Sequence, residues 1–215
     1  MHHPPPTHPA QDHQPSVPGR RRQIGLLLFD GVEELDAVGP WEVLSHWTRE
    51  HPDDGWDTFC LSTDGAPVVG AKSLMLGSHH STDDAPPLDV LIHPGGPGTR
   101  PMLHDSDHLA WVRECRASVP LMASVCTGSL VYAAAGVLTG RRATTHWASL
   151  NLLSELDPTI VTDVDARFVD DGDLITSAGV SAGIDMALHL VARLTDVERA
   201  REVRRAIQYD PMPSA

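Results

Sequence analysis

Pro120-Leu121-Met122-Ala123-Ser124-Val125-Cys126-Thr127-Gly128 is the stretch that decides the fold. An apolar run of strand length ends at a lone cysteine, with a small residue two places before it, Ser124, and another two places after it, Gly128. A nucleophile elbow, the sharp turn from a strand into a helix, requires this, because its flanking positions come so close that only Gly, Ser or Ala fits. The Ala- and Leu-rich residues 130–137 supply the helix that follows. A cysteine over a helix N-terminus meets free amides and the positive end of the dipole, and both favour the thiolate. Taken alone, the pattern also suits a buried structural cysteine.

Outward from the elbow, Ile24-Gly25-Leu26-Leu27-Leu28-Phe29 and Leu88-Asp89-Val90-Leu91-Ile92-His93 are continuous apolar runs of the kind found in strands buried on both faces. The first ends at Asp30-Gly31 and the second at Pro94-Gly95-Gly96-Pro97-Gly98. Apolar spacing predicts helices over residues 38–47, 105–117, 182–194 and 197–207. Residues 56–61 read as a strand, and 68–76, broken by Gly70, as a short extended excursion. Residues 166–169 and 174–177, around Asp170-Asp171-Gly172-Asp173, read as a hairpin. Strands alternating with helices imply an α/β fold, a mostly parallel sheet with helices on both faces. Ligands of such folds bind at the carboxyl ends of the strands.

A chain of 215 residues with 41% hydrophobic and 21% charged side chains fits one globular domain. We place it over residues 23–215. The balance of 16 basic against 29 acidic residues, net −13, disfavours partners such as nucleic acid or an anionic membrane. Cys60, Cys115 and Cys126 are too widely spaced for a disulfide framework or a zinc cluster, so no metal is expected. No apolar run reaches the roughly 18 residues of a membrane span, and a cytoplasmic location is expected. Residues 1–22 carry four of the 13 His and six of the 18 Pro with almost no large apolar side chains, which reads as a disordered extension.

Three features fall on one edge of the predicted sheet: the loop after the first strand, the Pro94-Gly95-Gly96 turn and the elbow. Gly95 and Gly96 let the backbone approach a ligand closely, and their amides with that of Thr127 can form an oxyanion hole. A plain tight turn is the other reading of residues 94–98. The first loop holds Glu33, Glu34 and Asp36. With Leu35 and Val38 facing inward, Asp36 is drawn toward the sheet edge, while Glu33 and Glu34 are expected on the solvated side.

Gly31-Val32-Glu33-Glu34-Leu35-Asp36-Ala37-Val38-Gly39-Pro40, His93-Pro94-Gly95-Gly96, Ser124-Val125-Cys126-Thr127-Gly128-Ser129, Ala143-Thr144-Thr145-His146-Trp147 and Gly179-Val180-Ser181-Ala182-Gly183-Ile184-Asp185 form an ordered set. Together they resemble the ThiJ/PfpI superfamily, with its class I glutamine amidotransferase-like fold, and within it the isonitrile hydratases. The resemblance spans about residues 23–213. It implies a flavodoxin-like three-layer sandwich, usually a homodimer, acting on a small molecule without metal or organic cofactor. By the same resemblance Cys126 is the nucleophile and Asp36 the acid hydrogen-bonded to it. Thr127 stands where hydratases carry threonine and PfpI-type peptidases carry histidine, which counts against a peptidase. Asp185 and His146 fall in motifs near the site, although a helix-start carboxylate and a histidine packed beside Trp147 explain them equally. The implied reaction is hydration of an isonitrile to an N-substituted formamide through a cysteine thioimidate, with the Asp36 pKa raised by burial. Two further readings stay open, a ligand-sensing domain like that of AraC-type regulators and a glyoxalase or deglycase.

Overall fold

In the computed structural model, which describes residues 19–211, the elbow strand lies inside a seven-stranded sheet. In chain order the elements are β1 (Arg22–Leu27), α1 (Glu34–Glu50), β2 (Trp56–Ser62), β3 (Val68–Val69), β4 (Met75–Leu76), β5 (His80–Ser81) and β6 (Val90–His93). They continue with α2 (Thr99–Met102), α3 (Ser106–Ser118), β7 (Leu121–Val125), α4 (Gly128–Ala134), β8 (Arg142–Ala143), α5 (Leu150–Leu156) and β9 (Val161–Thr162). The chain closes with β10 (Phe168–Asp170), β11 (Leu174–Ser177), α6 (Ala182–Leu194) and α7 (Val197–Ala206). The large sheet has the order β10-β11-β7-β6-β1-β2-β5, parallel throughout except for the β10–β11 hairpin.

The alternation of side chains along each strand explains why the central strands are apolar throughout. Val90, Ile92, Leu121 and Ala123 enter one core with α1, α6 and α7, while Leu91, Met122 and Leu174 enter a second core with α3, α4 and α5. Each fully buried leucine contributes about 1.5–3 kcal/mol relative to its exposed state. Two cores, one on each face, make the three-layer flavodoxin-like sandwich. The crossover connections carry the residues after β1, β6 and β7 to the same sheet edge.

The helix over 182–194 and the 166–177 hairpin stand as the spacing predicts. The first helix begins at Glu34, ahead of the apolar spacing that predicts it, because its acidic first turn carries no hydrophobic signal. The 68–76 excursion is an antiparallel hairpin, β3–β4. The short elements β5, β8, β9, α2 and α5 have no separate sequence signal and are held by tertiary contacts. β1 begins at Arg22, and before it Arg20 pairs with Asp89 (2.6 Å) and Arg21 with Asp57 (2.8 Å). Residues 1–18 of the expected disordered extension lie outside the described residues. No helix among the described residues is long and apolar enough to cross a membrane.

Candidate active site

The elbow is a strained backbone held by hydrogen bonds. Cys126 has φ +55°, a left-handed conformation that costs a non-glycine residue about 1–2 kcal/mol. Its N–H donates to the Ser177 carbonyl at 3.1 Å, and its own carbonyl accepts from Ser129 Oγ at 3.0 Å and Thr145 Oγ1 at 2.9 Å. Ser129 and Thr145 lie in the quoted motifs, yet neither was singled out, because a hydroxyl that ties down a carbonyl leaves no periodic signal. Gly128 passes so close to β6 that a Cβ would sit 2.2 Å from the His93 carbonyl oxygen. Backbone cannot yield as a side chain can, so Gly128→Ala is expected to destabilise the fold by about 3 kcal/mol, read as a fall of several degrees in Tm.

Asp36, in the first turn of α1, is fully buried. Its Oδ2 accepts from the Gly95 amide at 3.1 Å, while Oδ1 is buried without a well-formed hydrogen bond. The same carboxyl group and the Cys126 thiol each shift the other's protonation. Burial pushes the Asp36 pKa up to about 7, against the hydrogen bonds from Cys126 and Gly95 and with the help of the nearby charge of Glu33.

The thiol does not behave as the elbow pattern led us to expect. Burial and then the Asp36 charge push Cys126 up to about 12, and the amides of Thr127 and Val180 offset only part of this. The side chain is 6% exposed and α4 is only seven residues long, so the loss of water outweighs the pull of the helix start. Cys60 and Cys115 are also buried and pushed up to about 12, so ionisation does not set Cys126 apart. Iodoacetamide at pH 7 is therefore expected to label all three slowly in the native chain; rapid labelling of Cys126, mapped by mass, would show a resting thiolate and contradict this.

The expected oxyanion hole is also revised. The Gly95 amide is taken up by Asp36, and the Gly96 amide donates to Thr127 Oγ1 at 2.9 Å. Thr127 Oγ1 also bonds Thr99 Oγ1 at 3.0 Å, so its hydroxyl is part of the scaffold of this loop. The glycines are needed for close approach: a Cβ on Gly95 would lie 2.5 Å from the Thr127 nitrogen. The amides that act on the Cys126 thiol are those of Thr127 and Val180. The amide of Val180, with φ +54°, also favours the Asp36 carboxylate. Sequence reading missed Val180 because a backbone donor is independent of its side chain; the neighbouring Gly179, in a quoted motif, was the available hint.

Glu33 and Glu34 are not simply solvated. Both pair with Lys72, and Glu34 Oε1 also accepts from the Lys72 amide, which ties the β3–β4 hairpin to the start of α1. Asp185 bonds Arg167 at 2.5 Å and accepts from the Tyr209 hydroxyl at 3.1 Å, joining α6 to the hairpin side and the chain end. His146 accepts from the Ala148 amide at 3.3 Å and its ring covers Gly179, so that a Cβ there would be 2.2 Å from the His146 Cδ2. His146 thus borders the Val180 turn, whereas the bonds of Asp185 run to Arg167 and Tyr209. An apolar cleft of about 230 Å³ lies beside α1, lined by residues such as Val38, Trp41, Cys60 and Met75, and none of the site residues lines it.

A buried cysteine on a left-handed elbow, beside a buried carboxyl group from the first turn of α1, defines a class of α/β proteins. The chain belongs to the DJ-1/PfpI family, whose model matches residues 22–193. An isonitrile hydratase from Pseudomonas putida is 41% identical over 191 residues, covering 89% of this chain and 80% of that protein. The HTH-type transcriptional regulator GbdR of Pseudomonas aeruginosa is 30% identical over 90% of this chain, which spans only about half (52%) of the regulator. Among solved structures, a ThiJ/PfpI family protein from Pseudomonas syringae superposes with a TM-score of 0.80 at 31% identity, covering 97% of this chain and 85% of that one.

Proposed function

We propose that the protein hydrates an isonitrile, R–N≡C, to the N-substituted formamide, with Cys126 as nucleophile and Asp36 as the proton carrier. The observation that carries this reading is the buried pair of the Asp36 carboxyl group and the Cys126 thiol, in a chain 41% identical to an isonitrile hydratase. The isonitrile carbon must gain both a nucleophile and a proton. As the Cys126 sulfur bonds that carbon, its proton passes to the Asp36 carboxylate and from there to the same carbon, leaving a thioimidate, R–N=CH–S. Asp36 then takes a proton from water as the oxygen adds, and delivers one to the nitrogen. The C–S bond breaks, the hydroxyl proton returns through Asp36 to sulfur, and R–NH–CHO leaves with the pair restored. The Thr127 and Val180 amides steady the charge on sulfur while it is unprotonated. No step calls for a metal or an organic cofactor.

A thiol at about 12 makes its deprotonation part of the chemical step, so the carboxylate form of Asp36 is the active one. The sign follows: kcat/KM is expected to rise as pH climbs through about 7 and to level off above it. A profile that falls through that range would contradict the assignment. The deciding experiment incubates the protein with cyclohexyl isocyanide and looks for N-cyclohexylformamide, with methylglyoxal as the glyoxalase control. The regulator similarity favours a second reading, a ligand sensor; binding without turnover would support it. The homodimer belongs to the first reading and is checked by sedimentation. The cytoplasmic setting remains part of the same proposal, in keeping with three free thiols.

A further inference from the structure

The buried histidine pair His93–His108 has no part in the chemistry above. His93, the last residue of β6, is fully buried between the rings of Phe29 and Tyr132, at centroid distances of 5.5 and 5.7 Å. Its Nδ1 lies 2.8 Å from the Pro94 carbonyl oxygen. A carbonyl only accepts, so Nδ1 carries the proton and Nε2 is bare. His108, on α3, places its Nε2 at 3.1 Å from that bare nitrogen and must therefore donate to it. Both tautomers are set by this chain of bonds. The Pro94 carbonyl and the Gly95 N–H are the two ends of one planar peptide group, and the Gly95 end donates to Asp36 Oδ2 at 3.1 Å.

We propose that His93 is a positioning residue for Asp36: it holds the Pro94 carbonyl, and so sets the direction of the Gly95 N–H that binds the carboxyl group. His108 takes part by fixing the His93 tautomer. A peptide anchored at its carbonyl is also the more polarised donor at its N–H, which strengthens its hold on a carboxylate. The inference rests on the proposed function only in treating Asp36 as the proton carrier. The groups that face Asp36 are Cys126 and Glu33; those around His93 are His108 and Tyr132, with Asp105 beside His108. Burial holds His93 at about 3, so it stays neutral wherever Asp36 titrates.

The test reads the Asp36 midpoint in the full chain without substrate, from its carboxylic-acid infrared band, assigned by its absence in Asp36→Asn. His93→Asn keeps a donor in the place of Nδ1, whereas His93→Gln moves it to the place of Nε2. The Gln variant is expected to raise the midpoint by about half to one pH unit, because the Gly95 bond favours the carboxylate. The same variant is expected to lower kcat about tenfold with KM nearly unchanged, and His93→Asn to restore both. A folded His93→Gln with an unchanged midpoint overturns the proposal. Should that variant not fold, His93→Leu removes the donor to the Pro94 carbonyl without adding a polar group; a rise in the midpoint supports the proposal and an unchanged one overturns it. Absence of isonitrile turnover in the wild type would sink the hydratase reading while leaving the midpoint readable.

Discussion

Asp36→Asn is expected to lower turnover by roughly two to four orders of magnitude, the usual worth of a positioned acid–base group, and at the same time to stabilise the fold at alkaline pH. Asparagine keeps the size and the acceptor for the Gly95 amide but can neither take the thiol proton nor return one. The stability effect comes from linkage. The carboxyl group binds its proton more tightly in the folded chain, at about 7, than at its ordinary 3.8. The wild type therefore loses stability as pH rises through that window, because the unfolded chain releases the proton first. A separation of about three pH units corresponds to roughly 4 kcal/mol, an upper limit that the variant recovers above pH 7 and not below pH 4. Denaturant titrations at pH 4 and pH 8 check this; an equal gain at both would show that burial of the charge is not its source. Glu33→Gln and Glu34→Gln act as controls. Their contacts with Lys72 make a looser β3–β4 hairpin the expected consequence, with turnover changed far less than in the Asp36 variant.

Cys126→Ala is expected to abolish turnover outright, since the proposed reaction then lacks the thiol that bonds the substrate carbon. The fold should persist, because the side chain removed is small. Two further readings separate chemistry from structure. The thiol favours the Asp36 carboxylate by hydrogen bonding, so its removal should carry the carboxyl midpoint above 7. Replacing Cys126 by glycine should leave the chain about 1 kcal/mol more stable than the alanine variant, because φ +55° is free of strain only without a Cβ. A glycine variant no more stable than the alanine one would show that the bonds from Ser129 and Thr145, rather than the side chain, decide that conformation.

Local patterns were legible where the cause was local, but Leu35 and Val38, expected to face inward, are 38% and 36% exposed, and Asp36 is buried without them as inward neighbours. Continuous apolar runs predict β1, β6 and β7 because a strand covered on both faces has no polar side to show, and the 3.6-residue spacing predicts α6 to the residue. Small residues around Cys126 announced the elbow because steric crowding at a sharp turn is a property of neighbours in the chain. These same runs, together with the loop after β1, place Cys126 and Asp36 at one sheet edge.

Only the tertiary structure decided how those groups are charged and what holds them. The amide of Gly95 serves Asp36 from 59 residues away, and the amide of Val180 acts on the pair from the turn before α6. The thiol is neutral because water is excluded from it by elements remote in the chain, and the glycine amides that looked free to bind substrate are occupied by side chains from other loops. Apolar periodicity and steric fit are written in neighbouring residues. Desolvation and hydrogen-bond partnership are sums over whatever the fold brings near, and these became defined only when the sheet was assembled.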